Sequence, residues 1–357
     1  MPVGDSELLD MFEHVLKMSR VDETQGVAVL KSINSNPRLV WAAMTAAERL
    51  GAKVFGLDLP ATNNLRQIGF DPTGYVGETS LTGHWAAKKA LEAADLIIDT
   101  VLLLHSPEQN QLLAEGKRML LVIEPPEILA RLLPTEDDKR RVLAGCKQLE
   151  AAKKIEVFSK AGTEMSALLG EYPVIPEYGF SEEPGRWDHW GSGFLFTWSN
   201  EGSTNGKIVI DTGDILYPFK TYAQSPIALD VKDGRIVKFS GGFDAEHLES
   251  YMTSFNDPEV FAISHMGWGL QPRAKWSAQL LYDRFESVGM DGRSFYGNFL
   301  FSTGPNTEAG GTRNTACHMD IPLRRCSVLL DGEAVVRDGD VVAEDQIAPA
   351  LMRAAAE

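Results

Sequence analysis

The sequence is poor in long apolar runs and in cysteine, and each shortage excludes a class of protein. The nearest approach to a membrane span is the run at 96–104, which Asp99 interrupts and which is far shorter than the ~20 residues needed. The first 20 residues are charged and amphipathic, so we expect neither a secretory signal nor a membrane partner. Cys146, Cys317 and Cys326 form no CxxC pair, and their odd number predicts reduced thiols in a cytoplasmic protein.

Positive charge is also scarce. The chain has 34 Lys and Arg against 50 Asp and Glu, which gives a formal net charge of -16. Nucleic-acid binding needs clustered basic residues that neutralise phosphates, so we expect no nucleic-acid partner. The acidic excess favours solubility instead.

The length of 357 residues predicts about two domains, at ~150 residues each. In residues 1–165 short apolar runs alternate with helical patterns, which predicts an α/β domain with a parallel sheet. This domain is Rossmann-like in outline, but GxGxxG and GxxxxGK[ST] are absent, so we predict neither NAD nor ATP binding. The predicted strands are 26–32, 53–59, 95–105, 118–124 and 154–160, and the predicted helices are 36–51, 83–94 and 126–152.

Residues 166–357 predict a β-rich α+β domain, so the overall fold class is α/β plus α+β. Asn-Gly and Asp-Gly pairs favour the type I′ turn of tight hairpins. Three such hairpins are predicted, at Asn205-Gly206, Asp233-Gly234 and Asp331-Gly332. Helices are predicted at 244–256 and 271–287.

A possible metal site begins with His318 and Asp320, in "ACHMDIPL". In an extended strand, residues two apart project from the same face, while Met319 points away. An imidazole and a carboxylate on one face can hold one divalent ion. An HxD pair alone also arises by chance, so the site needs a third ligand.

His265, in "VFAISHMGWGLQP", is the candidate third ligand. An apolar strand runs into it, and Gly267 and Gly269 predict a tight turn beside a cleft. Two histidines and one aspartate form the facial triad of non-haem Fe(II) oxygenases. Catalytic zinc accepts the same atoms, so ligand type alone does not choose the metal.

His105 closes the predicted strand 95–105, at the carboxyl end of a buried parallel strand, and ligand sites in open α/β sheets form outside such ends. A histidine in such a place can act as a general base near neutral pH. A helix-capping or core role fits the position equally well. His14 and His247 lie in polar helical patterns and are predicted to be surface residues.

Two loops rich in glycine are candidate walls of a pocket for a flat, polar substrate. The same side chains could instead serve packing. The substrate-binding candidates from these loops are Glu177, His189 and Trp190 in 176–193 and Ser302 in 295–314, together with Leu104 beside His105.

Several long segments are distinctive, among them "LLHSPEQ", "EPGRWDHWGSGFLFTW", "FNDPEVFAISHMGWGLQPRA" and "CHMDIPLR". Together they resemble the 2,5-dihydroxypyridine 5,6-dioxygenase family of bacterial nicotinate degradation, and the resemblance covers nearly the whole chain. A wider similarity connects the chain to the thermophilic-type metallo-aminopeptidases. Those peptidases hold two zinc-type ions, whereas the dioxygenases hold one Fe(II).

The resemblance implies that His265, His318 and Asp320 bind Fe(2+) and that His105 deprotonates the substrate. It implies 2,5-dihydroxypyridine and O₂ as substrates and N-formylmaleamic acid as product. A dinuclear metallo-aminopeptidase-type hydrolase is the alternative, and we expect a homo-oligomer in either case. A two-metal site needs additional bridging carboxylates. The candidates are Glu164, Glu171, Glu177 and Glu308, and none of them lies in a sequence pattern that assigns it this role.

Overall fold

The computed structural model describes residues 2–61, 78–217, 219–283 and 286–349. The chain forms two compact units, and each is assembled from separate segments of the sequence. The predicted domains, 1–165 and 166–357, would divide the chain only once. The first unit comprises Met1–Thr135, Tyr178–Ser192 and Tyr282–Val288, and the second comprises Glu136–Glu177, Gly193–Leu281 and Gly289–Glu357.

The described residues form helices α1 to α8 and strands β1 to β20, numbered in chain order. The helices span Asp5–Met18, Pro37–Arg49, Trp85–Leu91, Pro107–Ala114, Pro126–Arg131, Glu136–Ala151, Phe243–Thr253 and Met290–Arg293. Short 3-10 helices span Pro258–Phe261, Trp276–Leu280, Thr307–Ala309 and Glu344–Gln346. The strands span Gly26–Lys31, Lys53–Asp58, Leu96–Asp99, Arg118–Leu121, Lys154–Ser159, Glu164–Leu168, Ile175–Glu177, Trp187–His189, Phe194–Trp198, Asn205–Ile210, Ile215–Leu216, Thr221–Tyr222, Ile227–Lys232, Arg235–Gly241, Ile263–Gly269, Phe299–Thr303, Met319–Leu323, Cys326–Leu330, Glu333–Arg337 and Asp340–Val341.

The first unit contains a parallel sheet in the order β2-β1-β3-β4-β8. Every residue of β3 and β4 is buried, as expected for strands covered on both faces. Strand β8 reaches this sheet from residue 187 onward, which is why the unit is discontinuous in sequence. The predicted α/β class is confirmed for this part of the chain.

The predicted strand 95–105 is wrong in its second half. Strand β3 ends at Asp99, and residues 100–105 form a loop. Leu102 and His105 have φ angles of 60° and 61°, which an extended strand does not allow. The apolar run that suggested one long strand therefore covers a buried strand and a tightly folded loop.

The second unit is antiparallel and β-rich, as predicted. Its sheets have the orders β14-β13-β10-β6-β5-β18-β19-β20, β17-β16-β15-β9-β7 and β11-β12. The hairpins at Asp233-Gly234 and Asp331-Gly332 are confirmed, and both residues of each turn have positive φ.

Three local predictions in the second unit are wrong. Asn205-Gly206 begins β10, which pairs with β6 and β13, whereas β9 pairs with β7 and β15. Strand β5 forms at the predicted position, but it belongs to an antiparallel sheet and not to the predicted parallel one. The described part of 271–287 holds only a short 3-10 helix. In each case long-range strand pairing or tertiary packing outweighs a local pattern.

Among the described residues, no helix is both long enough and apolar enough to cross a membrane.

Candidate metal centre

Three neighbouring strands of one sheet position the predicted metal ligands. His265 lies on β15, Asp320 lies on β17, and His318 immediately precedes β17. Strand β16 lies between β15 and β17, and its Ser302 is opposite Asp320 in the register. The sheet therefore brings together residues that are 53 to 55 positions apart along the chain.

The three side chains converge on one carboxylate oxygen. Asp320 Oδ1 lies 3.2 Å from the Nε2 atom of His265 and 3.2 Å from the Nε2 atom of His318. One ligand atom from each residue lies within 4.8 Å of the other two. His265 and Asp320 are buried, with exposed fractions of 6% and 5%.

The arrangement fits one divalent metal ion. Two ligand atoms at ~2.1 Å from an ion and at right angles to each other lie ~3 Å apart, which is close to the separations found here. Two imidazole nitrogens and one carboxylate oxygen are also the donor set of the non-haem Fe(II) facial triad. Among the described residues, the group of three or more His, Cys, Asp or Glu side chains that could share one ion consists of His265, His318 and Asp320.

Ser302 supports the backbone of His265. The register between β15 and β16 shifts between Ile263 and Met266, and such irregularities can re-aim a side chain next to a site. Ser302 Oγ accepts a hydrogen bond from the N–H of His265 at 2.9 Å and donates one to its C=O at 3.1 Å. The hydroxyl thus replaces the backbone hydrogen bonds that the register shift interrupts. The predicted contact of Ser302 with substrate stays a prediction.

Gly267 and Gly269 do not form the predicted turn, because β15 continues through both residues. A β-carbon at Gly267 would lie 1.9 Å from the carbonyl oxygen of Leu195, and one at Gly269 would lie 2.3 Å from that of Phe295. The glycines are therefore required by the close approach of neighbouring backbone.

Aromatic rings surround His265. Its ring centroid lies 4.7 Å from that of Phe196 and 5.7 Å from that of Trp198. Burial lowers the pKa of His265, which favours the neutral imidazole that a metal requires. Burial opposes the charge on His318 as well, but the Asp320 carboxylate outweighs it and raises the pKa of His318.

Arg293 holds the second oxygen of Asp320. The Arg293 Nε atom lies 2.7 Å from Asp320 Oδ2, and the guanidinium stacks 3.9 Å from the ring centroid of Tyr217. Burial alone would raise the pKa of Asp320, but Arg293 and the two histidines hold it well below its usual range. Arg293 therefore leaves Oδ1 for an ion. No pattern in the sequence indicated this residue, which lies on α8.

Replacing Arg293 by methionine is expected to weaken Fe(II) binding by about 10- to 100-fold, the usual effect of removing a group that orients a metal ligand. Without the guanidinium, Asp320 can rotate away from the histidines. Anaerobic titration with Fe(II) measures the affinity, and thermal unfolding checks the fold. Arg293→Lys keeps the charge and is the matched comparison. Unchanged iron affinity in the methionine variant would remove the orienting role.

Glu308 lies within electrostatic reach of the triad. Burial raises the pKa of Glu308 to about 7, while His318 lowers it and Asp320 raises it. It belongs to the short helix Thr307–Ala309 and was one of the loose carboxylate candidates. Of those candidates, Glu164 is exposed on β6. Glu308 is a carboxyl group near the centre and outside the group of three.

His105 and His189 belong to the first unit, and both lie near the indole ring of Trp187. The Trp187 centroid is 6.1 Å from the His105 ring and 6.4 Å from the His189 ring. His105 and Leu104 are half-buried, whereas His189 is buried at the end of β8. The predicted substrate contacts of Leu104 and His189 stay predictions.

Trp190 and Glu177 are both buried, in different units. The Trp190 ring packs edge-on against Phe12 at 4.8 Å, and its Nε1 donates to the carbonyl of Leu129 at 3.2 Å. Glu177 ends β7. Their predicted substrate contacts also stay predictions, whereas the surface positions of His14 and His247 are confirmed.

Known proteins match this chain along most of its length. The sequence profile of the 2,5-dihydroxypyridine 5,6-dioxygenase family, NicX, matches residues 7–343. A curated relative, 2,5-dihydroxypyridine 5,6-dioxygenase of Pseudomonas putida KT2440, is 61% identical over 346 residues, which are 97% of this chain and 99% of the relative.

Solved structures match as well. The 2,5-dihydroxypyridine dioxygenase from Pseudomonas putida KT2440 has a TM-score of 0.95 at 60% identity and covers 97% of this chain and 100% of its own. Wild-type AmpT from Thermus thermophilus has a TM-score of 0.64 at 14% identity, with 94% and 99% covered. The second match shows a shared fold, as expected from the similarity to the aminopeptidases.

Proposed function

Because the chain belongs to the 2,5-dihydroxypyridine 5,6-dioxygenase family, we propose that it is a mononuclear non-haem Fe(II) enzyme that cleaves the ring of 2,5-dihydroxypyridine. Both atoms of O₂ are inserted across the C5–C6 bond, and the product is N-formylmaleamic acid. The substrate and one O₂ together contain every atom of this product, so no further oxidant is needed. The convergence of His265, His318 and Asp320 is the observation that carries the proposal.

The residues of the centre have distinct proposed roles. His265 and His318 would hold iron through Nε2, and Asp320 would hold it through Oδ1, since these atoms face one another. Bound Fe(II) would supply open coordination positions at which O₂ and the substrate are activated. The ring of Phe196 packs against His265.

We propose His105 as the general base that takes a proton from a substrate hydroxyl. Loss of that proton makes the ring electron-rich, which favours its reaction with oxygen. The two hydroxyls are para to each other, so they do not chelate one ion as a catechol does. Protein groups must therefore orient the ring, and the proposed contacts are Leu104, Glu177, His189, Trp190 and Ser302.

Anaerobic reconstitution with Fe(II) tests the proposal. We expect about one iron per chain and one O₂ consumed per molecule of 2,5-dihydroxypyridine. With ¹⁸O₂, mass spectrometry should show both labelled atoms in the ring-opened product. Protein loaded with Zn(II) is the control and should consume no O₂. A product with one labelled atom, or no uptake by iron-loaded protein, would refute the dioxygenase reaction.

A dinuclear metallo-aminopeptidase-type hydrolase is the second candidate, because the fold is shared with AmpT. Such an enzyme would bind two ions and hydrolyse peptides without O₂. Metal analysis and peptide hydrolysis under argon separate the two. The three-residue group at His265, His318 and Asp320 favours one ion.

A further inference from the structure

The loop that leads to His105 has an unusual backbone. Leu102 and His105 have φ angles of 60° and 61°. Residues with side chains rarely adopt this left-handed conformation, because the β-carbon crowds the backbone. A loop with two such residues within four positions needs other interactions to hold it.

The carboxylate of Asp99 supplies these interactions. Asp99 is the last residue of β3 and is completely buried. Oδ1 accepts a hydrogen bond from the N–H of Val101 at 2.8 Å, and Oδ2 accepts one from the N–H of Leu103 at 2.7 Å. The backbone of Leu102, between these two donors, also lowers the pKa of this carboxylate. The N–H groups on either side of Leu102 thus form an anion-binding nest around a side chain of the same loop.

The ends of the loop are fixed as well. Thr100 Oγ1 donates to the carbonyl of Leu30 at 2.7 Å, before the nest. After it, the N–H of His105 donates to Gln109 Oε1 at 2.6 Å, and Ser106 Oγ accepts from the N–H of Gln109 at 3.1 Å as the N-cap of α4. With both ends held, the nest determines how the loop presents His105.

The nest retains a carboxylate whose ionisation is disfavoured by its surroundings. Burial raises the pKa of Asp99 to about 6, although the backbone of Val101, Leu102 and Leu103 opposes the shift. Above that pH the carboxylate carries a buried charge, which costs free energy unless hydrogen bonds compensate for the lost hydration.

We infer that Asp99 is a positioning residue for His105: its carboxylate fixes the left-handed loop that presents the imidazole beside Trp187. Asp99 acts through the backbone, and no direct contact with substrate is assigned to it. The inference rests on the proposed role of His105 as the base.

A double-mutant cycle on the iron-loaded protein tests it. Asp99→Asn, His105→Ala and the double variant are compared in iron content, Tm, kcat and KM with 2,5-dihydroxypyridine. We expect Asp99→Asn to keep iron and to lower kcat by roughly 10²-fold, the effect of a small misplacement of a catalytic group. In the His105→Ala background the same change should cost no further activity. Asp58→Asn, at the exposed end of β2, is the matched control and should keep wild-type kcat.

The outcomes separate the two proposals. If Asp99→Asn lowers kcat equally in the wild-type and His105→Ala backgrounds, Asp99 has a general structural role, and the inference alone is overturned. Wild-type kcat in Asp99→Asn overturns the inference alone as well. Full activity in His105→Ala overturns the proposed base and the inference with it. If Asp99→Asn does not fold, Asp99→Ser takes its place, because a serine hydroxyl accepts a hydrogen bond from the N–H two residues on more weakly than a carboxylate does. The cycle is then run with Asp99→Ser, with the same criteria.

Discussion

Asp320→Asn is expected to abolish iron retention and turnover together, although the two side chains have nearly the same shape. Arg293 donates to Oδ2, so the amide oxygen of an asparagine would turn toward Arg293. The amide NH₂ would then occupy the position of Oδ1, which faces both histidines at 3.2 Å. An NH₂ group has no lone pair for a metal, and the ion would lose its only anionic ligand of the three.

The measurement is iron content after anaerobic loading and desalting, followed by O₂ uptake on the same sample. Iron should fall to background, and turnover should fall at least as far as in any other variant described above. His265→Ala and His318→Ala should behave in the same way. His247→Ala, an exposed histidine on α7, is the control and should keep both iron and activity. Near-normal iron and turnover in any one of the three would remove that residue from the ligand set.

His105→Ala is expected to keep iron and to lose most of its turnover, by roughly 10²- to 10⁴-fold, the range that a positioned general base supplies. The side chain belongs to a different unit from the proposed ligands, so its loss should leave Fe(II) affinity unchanged. Substrate should still bind. The acid limb of the pH–rate profile should move or disappear, because histidine is the side chain that ordinarily titrates near neutral pH.

Metal content and single-turnover kinetics on one preparation decide the role of His105. His14→Ala is the control within the same unit, because His14 is exposed and its Nε2 atom lies 3.1 Å from the carbonyl oxygen of Pro134. Loss of iron together with activity would make His105 a structural residue or a ligand. Turnover within a few-fold of wild type, with an unchanged pH profile, would leave it no chemical role.

The candidate metal centre was more predictable than its supports. His318 and Asp320 are two residues apart, and the alternation of a strand places such residues on one face wherever the strand lies in the sheet. His265 joined them through a resemblance to a family and through its strand pattern. Ser302 and Arg293 could not be predicted in their supporting roles, because those roles depend on the register of β16 and on the position of α8.

Local patterns failed where backbone contacts decide the structure. Gly267 and Gly269 suggested a turn, but they allow neighbouring strands to approach. The run 95–105 suggested one strand, but the side chain of Asp99 captures the N–H groups that a longer strand would have used. Asn205-Gly206 suggested a hairpin, but both residues belong to a strand with distant partners. Each failure concerns backbone contacts that a local pattern of residue types does not specify.

The proposed ligands lie on or beside hydrogen-bonded strands, and this position affects how the protein would recover after losing its metal. An enzyme of the proposed kind, which would combine ferrous iron with O₂, is exposed to oxidation and loss of its own metal. The strands β15, β16 and β17 are paired through their backbones, so the three side chains should stay in place when iron leaves. Inactivation would then be repaired by a fresh ferrous ion and a reductant, without refolding of the chain.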